Sequence, residues 1–328
     1  MATRPGEFEL IERFTRPFAR GEGVRVGIGD DAAVLRPPPG EELVATVDAV
    51  VEGIHFTRGF TPEEVGWKAL AVNLSDLAAM GARPLWALVA LATPPTADAG
   101  RLARIGRGIA ACARRHGLSI VGGNVTAARE LSVTVTVLGS VRRGRALLRA
   151  GARPGDLLAV SGTLGDASLG IRPGAAAVLR ARQRRPRPRL ALGRGVVGIA
   201  RAAIDLSDGL LQDLGHLCAA SGLGARVEVD RLPLSPAYRA ATRGSRDPVL
   251  AALSGGEDYE LLLAVPPSRL GALREAARRA RTRVTLVGAL EARPGVRVVR
   301  GGHLLHPRRA GHDHLRPGHV LGPGPRRA

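Results

Sequence analysis

Residues 61–84 read TPEEVGWKALAVNLSDLAAMGARP. Thr61 as N-cap, Pro62 in the first turn and a capping-box glutamate at Glu64 predict a helix start, and Gly81 with Pro84 predicts its stop. Along this helix Asp76 falls among Leu70, Val72, Leu74, Leu77 and Met80. An acid in such a run is hard to hide unless something binds it. Outward from the helix the period changes. Val24–Ile28, Ala32–Leu35 and Leu43–Val47 before it, and Leu85–Ala92 after it, are short aliphatic runs bounded by Gly and Pro, the pattern of strands. Thr96–His116, closed by Gly117, is an Arg-rich amphipathic helix. Ser119–Val121 is a short strand running into Gly122-Gly123-Asn124, and Leu131–Val141 alternates as a half-buried strand does.

The second half repeats the theme of an acid ahead of a helix. Leu157–Val160 reads as a strand and Ala175–Arg182 and Leu190–Ala202 as helical, and then AIDLSDGLL (203–211) sets Asp205 and Asp208 before a helix reaching Leu217. Strands are expected at Arg226–Val229, through SGGEDYELLLAV (254–265), and at Val284–Gly288 and Val296–Val299, with a helix over Ser268–Arg281. Mixed strands and helices with an acidic motif in each half give an α+β or α/β class, two domains facing a shared site. The Arg- and Gly-rich run Arg142–Arg153, ending at Pro154, reads as a linker. The expected domains are residues 1–141 and 142–316, and the Pro/Gly/Arg-rich stretch 317–328 reads as a flexible tail.

Five aspartates lie in apolar or glycine-rich surroundings: Asp31 in GIGDDAAVL, Asp48 in VATVDAVVEGIHF, Asp76, Asp205 and Asp208. Two like charges about 4 Å apart repel by roughly 4 kcal/mol at the effective dielectric of a protein site, so clustered acids call for cations. Hard oxygen ligands select Mg²⁺, Mn²⁺ or Ca²⁺, and Mg²⁺ commonly shares its remaining positions with substrate phosphates. The acids therefore point to metal and nucleotide. Asp30 and Asp31 are adjacent on a segment expected to be extended, so they point to opposite faces; Asp31 is taken as the ligand and Asp30 as a turn or ion-pair residue. A Walker loop needs Gly-Lys-Ser/Thr, and Lys68 follows Trp67, so metals and Arg must neutralise any phosphates.

Composition bounds the rest. The chain has 328 residues, enough for two domains, with 45% hydrophobic residues and only 3% aromatic, so the core must be built from Ala, Val and Leu. A formal charge of +19 raises nucleic-acid binding as an alternative. Against it, Lys68 is the one lysine among 48 basic residues, and this Arg skew together with abundant Ala, Gly and Pro matches the residue usage of a GC-rich genome. The Arg residues are also spread along the chain without interleaved aromatics, so no specific nucleic-acid partner is expected. Cys112 and Cys218 make no disulfide framework. MATRPGEFELIERF lacks an apolar leader core, and the longest apolar run, Leu85–Ala92, is far short of a membrane span; a cytoplasmic protein is expected.

Together the motifs resemble one family. GIGDDAAVL, VDAVVEGIHF, WKALAVNLSDLAAMGARP, VGGN, LLRAGARPGD, VSGTLGD, AIDLSDGL and SGGEDYEL follow the order and spacing of thiamine-monophosphate kinases, over roughly residues 6–290. The resemblance implies the two-domain aminoimidazole-ribonucleotide synthetase-like fold, with the N-terminal domain giving strands to a dimeric β-barrel. It also implies transfer of the γ-phosphoryl group of ATP onto thiamine monophosphate, with several Mg²⁺ ions and a homodimer. By resemblance Asp31, Thr46, Asp48, Asp76, Asn124, Asp205 and Asp208 hold metal; Gly123, Asn124, Arg149 and Ser207 contact ATP; His55, Glu257 and Leu315 contact thiamine monophosphate. No side-chain base is implied. Read alone, several of these have plainer roles: Gly122-Gly123 as a turn, Arg149 as a solvated charge, His55 as structural, Glu257 as part of a strand-ending turn. Asn124 stands where many relatives have an acid, and Leu315 where relatives have an aromatic. His303, His306, His312, His314 and His319 read as a solvent-exposed His-rich segment. Within the superfamily, aminoimidazole-ribonucleotide synthetase remains an alternative. A hydrogenase-maturation protein is expected to end in cysteine and a selenophosphate synthetase to carry an early one, unlike GPGPRRA and Cys112.

Overall fold

The computed structural model describes residues 7–306 and Gly311. The chain divides into two compact units, one of residues up to Leu74 with Pro84–Ser140, the other of Ser75–Arg83 with the described residues from Val141 on. Its elements begin with α1 (Glu7–Thr15), β1 (Val24–Val26), β2 (Val34–Leu35), β3 (Glu41–Val51), α2 (Pro62–Ala79), β4 (Arg83–Thr93), α3 (Ala99–His116), β5 (Ser119–Ala127) and β6 (Ser132–Arg142). They continue with β7 (Leu157–Ser161), α4 (Asp166–Gly170), α5 (Ala177–Arg184), α6 (Leu190–Gly195), β8 (Ala202–Asp205), α7 (Leu210–Ser221), β9 (Gly224–Glu228), α8 (Pro236–Ala241) and α9 (Leu250–Ser254). The last are β10 (Leu261–Val265), α10 (Leu270–Arg279), β11 (Val284–Glu291), β12 (Gly295–Arg300) and β13 (His303–Leu305).

In the first unit an open four-stranded sheet runs β3-β6-β4-β5, and α3 makes the crossover between parallel β4 and β5. The capping box at the start of α2 is reciprocal: Glu64 N donates to Thr61 Oγ1 (3.2 Å) and Thr61 N to Glu64 Oε2 (2.8 Å). Two glycines let α2 and α3 touch backbone to backbone. A Cβ on Gly66 would lie 2.0 Å from Ile105 O, and one on Gly108 2.2 Å from Glu63 O. On α3, Leu102, Ile105, Ile109 and Cys112 are buried, and the helix starts at Ala99 rather than Thr96, with Asp98 as the N-cap accepting from Gly100 N and Arg101 N. β5 runs on through Gly122-Gly123-Asn124 where a turn was expected. The glycine serves strand pairing there, because a Cβ on Gly123 would sit 1.9 Å from Val89 O of β4. β3 extends well beyond Leu43–Val47; it lies at the sheet edge with Leu43 51% and Val47 58% exposed.

The second unit carries a seven-stranded sheet, β13-β12-β9-β11-β7-β10-β8, antiparallel except for β12 beside β9. β8 and β10 are buried along their whole length and join Leu158, Leu206, Leu214, Leu217 and Val227 in one core, built from small aliphatic residues as composition required. The helix expected through Ala202 ends at Gly195, in a Gly-containing stretch of poor helix propensity, and Ala202 opens β8 instead. The strand expected over 254–265 is confined to Leu261–Val265. The end of α2 packs in this unit, with Leu147 N donating to Met80 O (3.0 Å). Among the described residues no helix is long and apolar enough to cross a membrane.

Candidate functional site

Buried apolar strand β8 ends on Asp205, itself only 5% exposed, and releases the chain into Leu206-Ser207-Asp208-Gly209 before α7. This loop is bracketed by a second one. Glu257 N donates to Ser207 O (2.7 Å), Tyr259 N to Leu206 O (2.8 Å), and Leu206 N to Glu260 O (2.8 Å). Glu257 and Tyr259 hold left-handed conformations (φ 70° and 49°), each costing about 1–2 kcal/mol for a residue with a Cβ. That strain is sustained by the bracket and is typical of sites where geometry serves chemistry. The two loops bring together Asp205, Ser207, Asp208 and Glu257, whose Oε2 accepts from Gln183 Nε2 (3.2 Å).

Asp213, in the first turn of α7, is buried and accepts from the amides of Asp208 and Gly209, both at 3.1 Å. Burial pushes its carboxyl up to about 7, the Asp208 charge acts in the same direction, and the exposed Arg149 pulls it back. A carboxyl opposed by a neighbouring acid marks local excess negative charge. The donor set there, two carboxylates and a hydroxyl, suits a hard divalent cation. Among the described residues no group of three or more His, Cys, Asp or Glu side chains is arranged to hold a metal ion.

Behind Glu257 lies a network that sequence reading missed. Glu260 (2% exposed) pairs with Arg189, whose Nε donates to its Oε2 at 2.6 Å, and also accepts from Ser161 Oγ (2.6 Å). Asp166 accepts from Thr163 Oγ1 (2.7 Å) and Ser235 Oγ (2.6 Å). Asp258 accepts from Gly165 N (2.7 Å), and burial, reinforced by Glu260 and Asp166, raises its carboxyl well above the usual range. The only available signals were Asp166 in VSGTLGD and Asp258 and Glu260 in SGGEDYEL, both of which the family motifs already contain.

In the first unit, Asp31 is exposed at a bend rather than in an extended segment, and its amide donates to Asp30 Oδ1 (2.8 Å). Thr46 and Asp48, two apart on β3, share a face of the sheet. His55 follows in the turn after β3, its Nδ1 accepting from Val51 N (3.1 Å). Gly123 and Asn124 are exposed on β5. Asp76, part-buried near the end of α2, belongs to the second unit, as do Arg149, Asp205, Ser207, Asp208 and Glu257. Asn73 Oδ1 and Ser75 Oγ, buried beside Asp76, have no hydrogen-bond partner among the described residues. Leu315, His312, His314 and His319 lie outside the described residues; His303 and His306 are exposed.

Residues 29–141 match the family of AIR synthase related protein, N-terminal domain, and residues 153–301 that of the C-terminal domain. A thiamine-monophosphate kinase from Salmonella typhimurium is 41% identical over 322 residues, 94% of this chain and 98% of the relative. The crystal structure of a thiamine-monophosphate kinase from Stenotrophomonas maltophilia superposes with TM-score 0.82 at 41% identity, covering 92% of this chain and 98% of that one. AaThiL complexed with AMPPCP and TMP superposes with TM-score 0.75 at 31% identity, covering 95% and 100%. With identity of this order spread along nearly its whole length, and both AIR synthase related domains present, the chain belongs to the thiamine-monophosphate kinase family.

Proposed function

We propose that this protein transfers the γ-phosphoryl group of ATP to the phosphate of thiamine monophosphate, giving thiamine diphosphate. The observation that carries the reading is the bracketed pair of loops: three backbone hydrogen bonds and two strained residues join Leu206-Ser207 to Glu257–Glu260, with Asp205 and Asp208 on either side. In support, the solved complex with AMPPCP and TMP belongs to a relative with the same fold. The acceptor is a phosphate oxygen already deprotonated near neutral pH, so the protein need supply no general base.

Asp31, Thr46, Asp48, Asp76, Asn124, Asp205 and Asp208 would hold Mg²⁺, which when bound offsets the repulsion between two phosphates. Gly123, Asn124, Arg149 and Ser207 would meet ATP, and His55, Glu257 and Leu315 thiamine monophosphate. The domains are taken as 1–141 and 142–316 with a tail at 317–328. The long edge of β3, with Leu43 and Val47 exposed, supports pairing with a second copy into a barrel-forming homodimer. The cytoplasm is the proposed compartment.

The test is a coupled assay with ATP, Mg²⁺ and thiamine monophosphate or free thiamine. The monophosphate should turn over and thiamine, lacking the acceptor phosphate, should not; equal turnover of both would overturn the reading. Asp205→Asn should lower kcat by about two or more orders of magnitude with native circular dichroism, since an acid removed from a repulsive group costs little stability.

A further inference from the structure

Lys68 is the single lysine in a chain whose other 47 basic residues are arginine, and it is fully buried (0% exposed). Among the described residues it is the one basic side chain in the buried set. A sequence that uses arginine everywhere else keeps lysine where the chemistry differs: a compact ammonium on an unbranched stem fits a space that a planar guanidinium does not. Its Nζ donates to His55 O (2.8 Å) and stands 5.6 Å from the centroid of the Phe60 ring.

The carbonyl it grips belongs to a closed turn. Ile54 N and His55 N both donate to Val51 O (3.2 and 2.9 Å), and Gly53 N donates to Phe56 O (2.8 Å). Val51 N donates to His55 Nδ1 (3.1 Å), while Phe56 is fully buried beneath the turn. A ring nitrogen that accepts carries no proton, so in neutral His55 the proton is on Nε2. The backbone and the ring of His55 are thereby both held, the first by Lys68 and the second by Val51.

The geometry points to Lys68 as a positioning residue for His55: it locks the Val51–Phe56 turn so that the imidazole is presented to thiamine monophosphate as an Nε2–H donor. This rests on the proposed place of His55 at the substrate. An alternative, that Lys68 merely fills the core, predicts uniform loss of stability and of every kinetic constant.

The experiment is a double-mutant cycle of His55→Ala and Lys68→Met, with both KM values, kcat, near-UV circular dichroism and ¹⁵N-detected histidine spectra. His55→Ala should raise KM for thiamine monophosphate about tenfold, as for a lost hydrogen bond to a charged partner, and leave KM for ATP unchanged. Lys68→Met should act in the same direction and add nothing in the His55→Ala background, and the wild-type spectrum should show the Nε2–H tautomer. Should Lys68→Met fail to fold, Lys68→Gln, which keeps a polar end in the site but is one atom too short to carry its N–H to His55 O, takes its place with the same expected rise in KM. Additive effects, unchanged KM in the Lys68 variant, equal effects on both substrates, or an Nδ1–H tautomer would each overturn the proposal. If His55→Ala alone changes neither KM, the substrate-site reading fails and the proposal with it, an outcome visible without any Lys68 variant.

Discussion

Asp213 shows how burial sets the protonation of a single side chain. Folded, it holds its proton up to about pH 7, chiefly because it is buried; the unfolded chain releases it near 3.8. Between those values the folded state binds more protons, so the contribution of this residue to stability is greatest below pH 4, falls as pH rises towards 7 and is flat above. Urea unfolding without Mg²⁺ at pH 5 and 7.5 should show wild type losing on the order of a few kcal/mol relative to Asp213→Asn. Parallel pH slopes in the two proteins would mean that the carboxyl is ordinarily ionised. Asp205 and Asp208 were legible in sequence because an acid in an apolar run is conspicuous. Asp213 was not, since an acid in the first turn of a helix is commonplace and its burial is decided by how α7 sits on the sheet. Glu260 and Asp166 are hidden for a related reason: apart from Thr163 beside Asp166, their partners Arg189, Ser161 and Ser235 are far away in sequence.

At the level of elements, the contact between α2 and α3 depends on reciprocal glycines. Gly108→Ala must push Glu63 O away from a position 2.2 Å from the new Cβ, and should cost about 1–3 kcal/mol in thermal or denaturant unfolding despite the better helix propensity of alanine. A stabilised Gly108→Ala protein would show that the helices can separate freely. The boundaries of α2 followed from its capping residues, which are local chemistry. β5 was cut short because Gly122-Gly123 signals a turn when only near neighbours are considered, whereas its conformation is set by β4. The stretch 254–260 reads as strand because hydrophobic Leu261–Val265 follows it. Its actual course depends on hydrogen bonds to Leu206 and Ser207, about fifty residues earlier in the chain.

For the whole molecule, the exposed edge of β3 sets the expected assembly. Placing a charge there, as in Val47→Asp, should raise the concentration at which a dimer dissociates by at least about tenfold in sedimentation or light-scattering measurements, while leaving circular dichroism native. An unchanged mass would put the contact elsewhere. The solitary buried Lys68 gives the experimenter something further: a single concealed ε-amine in a 328-residue chain. An acylating reagent reaches that amine only when the surrounding fold opens, so the yield of labelled Lys68 over time, read by peptide mass, becomes a clock for opening without any introduced probe. With ATP and thiamine monophosphate present the clock should slow, and the ratio of the two rates gives the free energy that the bound substrates add to the closed form.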